Sequence, residues 1–154
     1  MSCKPRLFLS GPITGLSYED VTVWREKIRA ALEPLGIDCF SPLRGLEGLL
    51  RNETTIKESY QESTMGTDSA ITDQDLFDIL KCDVLLINLL GTSRVSIGTV
   101  FEAAWAYLLK KPVILVIERS ANIHEHPMMR RSATYRTDSL DEAIFLAKRL
   151  LLPG

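Results

Sequence analysis

Residues 83–117 read DVLLINLLGTSRVSIGTVFEAAWAYLLKKPVILVI, and this stretch decides the fold. Its two apolar runs, residues 83–90 and 112–117, are nearly continuous, which is typical of strands covered on both faces. Between them, residues 98–110 have the length and composition of a helix. A strand, a helix and a second strand in this order form a parallel β-α-β unit, so the stretch predicts an α/β fold.

The alternation of strands and helices continues on both sides of this unit. Further strands are predicted at residues 6–10 and 37–41, and a weak one at residues 133–136. Five strands and five helices predict a three-layer sandwich of the flavodoxin-like or Rossmann-like class, with a five-stranded parallel sheet. Ligands of such sheets bind at the carboxyl ends of the strands, where the strand order reverses.

Three helices are expected to begin after the N-cap residues Ser17, Thr72 and Ser139. In the first of them, apolar residues recur at spacings of three or four, which indicates one buried face. That face is expected to contain Val21, Trp24, Ile28, Leu32 and Leu35. Charged residues of this helix, Arg25 among them, are assigned mostly to other faces.

Residues 44–71 differ from the rest because they are polar and show no sustained period. A segment of this length inside a compact domain is usually either functional or mobile. We therefore expect a lid-like insertion, with one helical turn near residues 56–60, in a single domain that covers residues 1–154.

Composition excludes several classes of protein. The chain has 18 basic and 20 acidic residues and a net charge of −2, so it lacks the basic excess of a protein that binds polymeric nucleic acid. Its three cysteines show no C-x-x-C spacing, which argues against a disulfide framework or a zinc site. No apolar stretch approaches the roughly 20 residues of a membrane span, and no signal peptide is evident, so a cytoplasmic location is expected.

Glu102 is the most informative single residue. It is the only charged side chain between Arg94 and Lys110, and it lies in a helix that is apolar all round. A carboxylate in such a place must be paired, protonated or used in chemistry. Near the start of the helix, the dipole should favour its ionised form, which would suit a nucleophile. A structural acid bonded to backbone amides is the alternative.

Asp75 is a second candidate, in the sequence Thr72-Asp73-Gln74-Asp75. Taken alone, Thr72 and Asp75 are better explained as a capping pair at a helix start.

Two loops suit a small ligand. Ser10-Gly11-Pro12-Ile13-Thr14-Gly15 follows the first strand, and its glycines would let a ligand approach the backbone, although a tight turn explains them equally well. A second loop, after Asn88, contains Ser93, Ser96 and Gly98 at a helix N-terminus, which suits an anion or a sugar hydroxyl as well as an ordinary cap.

Both histidines lie in one short stretch, Asn122-Ile123-His124-Glu125-His126-Pro127. A catalytic metal usually needs three protein ligands, and no convincing third ligand accompanies them. No metal or other cofactor is therefore expected.

Together these motifs resemble the nucleoside 2-deoxyribosyltransferase family. The matching sequences are Leu9-Ser10-Gly11-Pro12, Asp75-Leu76-x-x-Ile79-x-x-x-Asp83, Gly98-Thr99-x-x-Glu102-x-x-x-Ala106 and Lys111-Pro112-Val113-Ile114. The resemblance covers residues 7 to about 117, and the loop at residues 122–127 also resembles bacterial and phage members. The Asp and Glu motifs at this separation make it specific.

The resemblance implies that Glu102 attacks the anomeric carbon of a 2′-deoxynucleoside and that Asp75 assists proton transfer at the departing base. The Gly11–Ile13 backbone would cradle base and sugar. We expect Ser10, Gly11, Pro12, Ile13, Asn88, Ser93, Ser96, Gly98, Asn122 and His126 to bind substrate. The partners are then a small nucleoside or nucleotide and a free nucleobase. The family also implies a homo-oligomer in which a neighbouring subunit completes the site.

Two positions depart from the family pattern. Phe8 stands where the family often has Tyr, and Ser96 stands six residues before Glu102, where transferases often carry Asp. Ser96 resembles instead the related 5′-monophosphate N-glycosidases, in which serines hold a phosphate. Hydrolysis of a nucleotide is therefore an alternative to base transfer. A sensor that binds a nucleotide without turnover is a third, although the presence of Glu102 favours an enzyme.

Overall fold

The computed structural model describes residues 3–154 and has a five-stranded, all-parallel sheet at its centre, which confirms the predicted fold class. The strand order is β2-β1-β3-β4-β5. The strands are β1 (Arg6–Ser10), β2 (Asp38–Phe40), β3 (Val84–Asn88), β4 (Val113–Val116) and β5 (Tyr135–Thr137). The helices are α1 (Tyr18–Leu32), α2 (Glu47–Leu50), α3 (Asp68–Lys81), α4 (Ile97–Leu108), α5 (Pro127–Ser132) and α6 (Leu140–Leu151), with a short 3-10 helix at Glu33–Leu35.

Helices cover both faces of the sheet because the strand residues alternate between two cores. On one face, Leu7 and Leu9 of β1 pack with residues of α1 and α6. On the other face, Phe8 packs with residues of α3, α4 and α5. From β1 the chain turns to β2 on one side and later returns to β3 on the other. The strand order therefore reverses between β1 and β3, and a ligand site is expected there.

Helix α3 begins five residues before the predicted start. Its N-cap is Thr67, whose hydroxyl accepts a 3.2 Å hydrogen bond from the Ala70 amide, and not Thr72. The predicted capping pair of Thr72 and Asp75 is therefore wrong, and Asp75 lies inside the helix. Two smaller predictions also fail. Residues 56–60 contain no helical turn, and residues 127–132 form a further helix, so the described residues contain six α-helices and not the predicted five.

The buried face of α1 differs from the prediction at two positions. Arg25 is only 1% exposed, although it was assigned to a charged face. Leu35 belongs to the 3-10 helix, beyond the end of α1, and 46% of it is exposed.

The polar segment 44–71 has a small core of its own. Leu50, Ile56 and Tyr60 are buried together with Leu43 and with Val21 of α1. The segment is anchored near its start by Arg44, whose Nη2 donates to both carboxylate oxygens of Asp78, at 2.6 and 2.8 Å. None of the helices in residues 3–154 has the length and apolar character needed to cross a membrane.

Candidate active site

The candidate site lies at the carboxyl ends of β1 and β3, where the strand order reverses. Ser10 ends β1 and pairs with Ile87 of β3. Gly11 follows directly, and a Cβ atom there would lie 2.9 Å from both the Asn88 carbonyl oxygen and the Trp24 ring. Only glycine allows this approach, so the backbone turns closely over the end of the sheet.

Glu102 is buried in α4 and points to this edge. It is 5% exposed, and its Oε2 atom has no hydrogen-bond partner within residues 3–154. Ser10 Oγ lies close enough to lower the pKa of Glu102, yet it makes no well-formed hydrogen bond with any described group. Buried polar atoms are almost always satisfied, so these two neighbouring atoms are exceptions among the described residues.

Burial raises the pKa of Glu102 well above its ordinary range, and repulsion from Asp75 raises it further. The sequence predicted the opposite shift, from the helix dipole. The dipole acts chiefly within the first turn, whereas Glu102 is in the second turn of a helix that begins at Ile97. Desolvation therefore dominates.

Asp75 projects from α3 toward the same region. Burial also raises the pKa of Asp75, and repulsion from Asp78 adds to the effect. The charge of Arg25 lowers the pKa of both Asp75 and Glu102. Because the two carboxyls repel each other, they titrate as a pair, and a proton is retained on the pair toward neutral pH.

Arg25 is a component of the site that the sequence interpretation missed. Its guanidinium donates to three carbonyl oxygens: from Nε to Leu9 at 3.4 Å, from Nη1 to Val21 at 2.5 Å and from Nη2 to Gly11 at 3.2 Å. Burial lowers the pKa of Arg25 to about 9, so it stays charged at neutral pH. This cation fixes the turn after β1 and supplies positive charge to both acids.

The loop after β3 carries the predicted hydroxyl groups. Ser96 is the N-cap of α4, and its hydroxyl lies 2.9 Å from that of Thr99. Ser93 is exposed and makes no hydrogen bond with the described residues, and Gly98 faces open space. Asn88 is half-buried, and its Oδ1 accepts a 3.2 Å hydrogen bond from the Leu90 amide.

Asn122 joins two loops. Its Nδ2 donates to the Leu89 carbonyl at 2.8 Å and to Glu118 Oε2 at 2.6 Å, so its amide is already occupied. The buried His124, absent from the predicted set, accepts a 2.8 Å hydrogen bond at Nε2 from the Ser96 amide. Accepting there requires a neutral ring, and burial lowers the pKa of His124 accordingly.

His126 is exposed, and its Nδ1 accepts a 3.2 Å hydrogen bond from the Met128 amide at the start of α5. Phe8 is fully buried and packs edge-to-face on Phe40, with ring centroids 5.5 Å apart. Among the described residues, no three His, Cys, Asp or Glu side chains form a group that could hold a metal ion.

The sequence model of the nucleoside 2-deoxyribosyltransferase family matches residues 7–140. The chain therefore belongs to this family. A search among curated protein sequences returns no match to the chain.

Solved structures with the same fold include two glycosidic-bond enzymes. The 2-desoxiribosyltransferase from Leishmania mexicana has a TM-score of 0.63 and 16% identity, with 94% of this chain and 96% of that chain covered. The CMP N-glycosidase of Clostridium botulinum has a TM-score of 0.58 and 17% identity, with 94% and 98% covered. A molybdenum cofactor binding protein from Rippkaea orientalis is comparably similar, with a TM-score of 0.58, 18% identity, and 97% and 98% covered. At these identities the likeness shows the fold alone.

Proposed function

We propose that this protein cleaves the N-glycosidic bond of 2′-deoxynucleosides and transfers the deoxyribosyl group to another base, with Glu102 as the nucleophile. The observation that carries the proposal is the pair of buried, unsatisfied atoms, Glu102 Oε2 and Ser10 Oγ, at the point where the strand order reverses. Membership of the family supports the same chemistry.

Glu102 forms and releases the bond to the sugar, and Asp75 donates and takes back the proton. An oxygen of Glu102 bonds to C1′ of the sugar while the bond from C1′ to the base nitrogen breaks, and a proton from Asp75 goes to that nitrogen. The product is a glycosyl ester formed through an oxocarbenium-like transition state. A second base then attacks C1′ through its nitrogen, the ester bond breaks, and the proton of that base returns to Asp75. The raised pKa values of both acids support one proton on the pair toward neutral pH, and the reaction begins from the form in which Asp75 carries this proton and Glu102 is ionised.

The other predicted residues would hold the substrate. The backbone of Gly11, Pro12 and Ile13 and the Asn88 side chain border the edge where Glu102 lies, so we assign them to the base and sugar. Asn122 and His126 stay predictions as substrate ligands, because both already hold backbone groups. The segment 44–71 would act as a lid, and it contacts the loop after β1 through the hydrogen bonds of Ile56 with Gly15 and Leu16.

Hydrolysis of a 2′-deoxynucleoside 5′-monophosphate is the second candidate function. It is favoured by Ser96, whose neutral hydroxyl lies at the N-terminus of α4, where a carboxylate would repel a phosphate. In this reaction water replaces the second base and donates its proton to Asp75.

A homo-oligomer in which a neighbouring subunit completes the site is part of the proposal. Exposed apolar side chains lie on two adjacent helices: Phe77 and Leu80 on α3, and Ile97, Phe101 and Leu108 on α4. Exposed apolar surface of this kind suits an interface between subunits. A cytoplasmic location stays a prediction.

Chromatography of reaction mixtures tests the proposal. The protein is incubated with each 2′-deoxynucleoside and its 5′-monophosphate, with and without a second free base. A new nucleoside that forms only when the second base is present supports transfer. Free base from a monophosphate alone supports the hydrolase. If no base is released from any substrate, both proposals are overturned and a nucleotide-binding sensor is favoured.

A further inference from the structure

His124 is a buried histidine whose ring joins the loop after β4, residues 117–126, to the start of α4. It is 3% exposed, and its Nε2 accepts a 2.8 Å hydrogen bond from the amide of Ser96, 28 residues earlier in the chain. A neutral ring that accepts at Nε2 carries its proton on Nδ1. That nitrogen lies 3.1 Å from Asn122 Oδ1 and 3.3 Å from Thr92 Oγ1, so both ring nitrogens have partners.

The bond from the Ser96 amide replaces one that a capping box supplies locally. In a capping box, a Glu or Gln three residues after the N-cap residue binds the N-cap amide. In α4 that position is Thr99, whose hydroxyl lies 2.9 Å from the Ser96 hydroxyl, and the Ser96 amide is bound by His124 instead. A Glu at position 99 would stand three residues before Glu102 on the same helix face, and its charge would repel Glu102. The neutral imidazole supplies the acceptor without that charge.

The same cluster of side chains holds the other end of the loop after β3. Asn122 Nδ2 donates to the carbonyl oxygen of Leu89, directly after β3, at 2.8 Å and to Glu118 Oε2 at 2.6 Å. Glu118 Oε1 accepts a 2.6 Å hydrogen bond from the Gly91 amide. The loop is therefore held at its start through Leu89 and Gly91 and at its end through Ser96, in each case by side chains of the loop after β4.

No charged side chain binds the ring of His124 within the described residues. The ring's hydrogen-bond partners are the amide, hydroxyl and carboxamide groups of Ser96, Thr92 and Asn122, which are all neutral. Glu118 binds the far side of the Asn122 carboxamide, and Glu125, the next residue in the chain, is held by two arginines. Burial lowers the pKa of His124, so the ring is neutral at neutral pH. Protonation would set an N–H group against the Ser96 amide, and their hydrogen bond would be lost.

We propose that His124 is a positioning residue, whose neutral ring holds the Ser96 amide and so fixes the loop after β3 and the start of the helix that carries Glu102. This inference rests on the proposed N-glycosidic site and adds to it a residue that acts through another. Glu102 lies in the second turn of α4, directly after the turn that His124 anchors. A displacement of about 1 Å at a reacting group can cost about a hundredfold in rate, so this anchor bears on turnover.

Amide hydrogen exchange, measured by NMR, tests the placement of the helix start without relying on activity. His124→Leu removes the acceptor, and His124→Gln keeps a neutral acceptor that cannot titrate. Ser139→Ala is the matched control, because Ser139 caps α6 on the other face of the sheet and accepts a 3.2 Å hydrogen bond from the Glu142 amide. Protection of the Ser96 amide, corrected for the intrinsic exchange rate, is followed between about pH 5 and pH 8. Thermal unfolding confirms that each variant is folded.

We expect the Ser96 amide to exchange at least about tenfold faster in His124→Leu than in the wild type at neutral pH. In the wild type, protection should fall as the pH drops through the pKa of His124, which lies below its ordinary value of about 6.5. His124→Gln should keep its protection over the whole range. Because Asp75 and Glu102 titrate in both proteins, the difference between them reports the histidine. If His124→Leu does not fold, this difference decides the test.

The kinetics of base release test the consequence for the site. His124→Leu should lower kcat by about tenfold at neutral pH and change KM by less than about threefold, because Glu102 is displaced while most contacts to substrate remain. His124→Gln should restore most of kcat, since the acceptor for Ser96 is kept. Ser139→Ala should lose stability, as expected for the loss of a helix cap, with kcat unchanged.

Unchanged protection of Ser96 in His124→Leu, or the same loss of protection on acidification in the wild type and His124→Gln, would overturn the inference. A kcat that falls in neither His124→Leu nor Ser139→Ala, or falls equally in both, would also overturn it. The proposed function can fail separately. Loss of Ser96 protection in His124→Leu, in a protein whose wild type releases no base, would overturn the proposed function and still support the place that His124 gives to the start of α4.

Discussion

Two buried carboxyl groups in adjacent helices differ in their hydrogen-bond and ion-pair partners. Asp78 of α3 is fully buried, and its carboxylate has Arg44, Lys81 and Gln74 as partners, at 2.6 to 3.2 Å. Glu102 of α4 is nearly as buried, but its Oε2 atom has no partner among the described residues. Burial of a charge costs free energy unless the charge is paired, so the partners of Asp78 offset the cost of its burial, whereas the cost at Glu102 Oε2 is not offset by a hydrogen bond from the described residues.

The largest expected effect belongs to Glu102. Glu102→Gln keeps the shape of the side chain and removes the nucleophile, so turnover should fall by about a thousandfold or more. Binding of substrate should persist, which calorimetry would show. Base release is measured by chromatography, with Glu26→Gln, an exposed glutamate on α1, as the control. If Glu102→Gln kept its turnover, Glu102 would be a structural acid, as Asp78 is, and the proposed difference between them would be wrong.

Arg25 has a structural and an electrostatic effect. It binds backbone carbonyl groups, and its charge lowers the pKa values of Asp75 and Glu102. Arg25→Met would leave the carbonyl groups of Leu9 and Gly11 buried without donors, and we expect a loss of about 3 kcal/mol in the free energy of unfolding. Urea unfolding measures this loss. Arg25→Lys keeps a cation, and it should retain more of the stability.

If Arg25 also tunes the two acids, its replacement should change the pH dependence of activity, which a purely structural role would not do. Without this cation, the pKa values of Asp75 and Glu102 should rise further, because Arg25 lowers both. The acidic limb of the pH profile of kcat/KM should then move to higher pH in Arg25→Met and move less in Arg25→Lys. If the pH profile of a folded Arg25→Met protein matched that of the wild type, Arg25 would have a structural role only.

Asp78→Asn tests whether the paired carboxylate of Asp78 stabilises the fold. The amide keeps the volume but loses the charge that Arg44 and Lys81 bind, so we expect a loss of about 2 kcal/mol in the free energy of unfolding. This is less than for a fully buried pair, because 49% of the Arg44 side chain and 34% of the Lys81 side chain stay exposed to water. Equal stability of Asp78→Asn and wild type in urea would show that Asp78 does not anchor the segment 44–71.

The sequence was sufficient for the sheet, and it drew attention to Glu102, whose role stays a prediction, because both features depend on local pattern. Near-continuous apolar runs mark buried strands, and a single acid in an apolar helix is conspicuous. Arg25 was missed because residues were sorted by polarity. Its spacing was informative, however, since it lies four residues after Val21 and three before Ile28, within the buried stripe of α1.

Other features depend on contacts that no local pattern contains. Thr67 and Thr72 are each followed by an acid, and the first turn of α3 has only one large apolar residue, Ile71, so periodicity did not place its start. This error is why Asp75 was first assigned to a cap. The partners of Asn122 come from Leu89 and Glu118. Such features require the folded chain.

The smallest expected effect is on stability as a function of pH. In the folded protein, the pKa of Asp75 is raised to about 7 and that of Glu102 to about 8, whereas in the unfolded chain both groups titrate near about pH 4. Between these limits the folded state binds more protons than the unfolded state. The free energy of unfolding contributed by the pair is therefore fully present below about pH 4 and falls as the pH rises through 7 and 8.

Glu102→Gln removes most of this loss, because it deletes one acid and relieves its repulsion of the other. The variant should unfold at the same temperature as the wild type near pH 4 and at a higher temperature near pH 8. Asp78→Asn should be less stable than the wild type at pH 8, so the two substitutions should act in opposite directions there. Calorimetric unfolding across this range measures both. A Glu102→Gln protein that is less stable than the wild type at pH 8 would mean that Glu102, like Asp78, is held by the fold for its own stability.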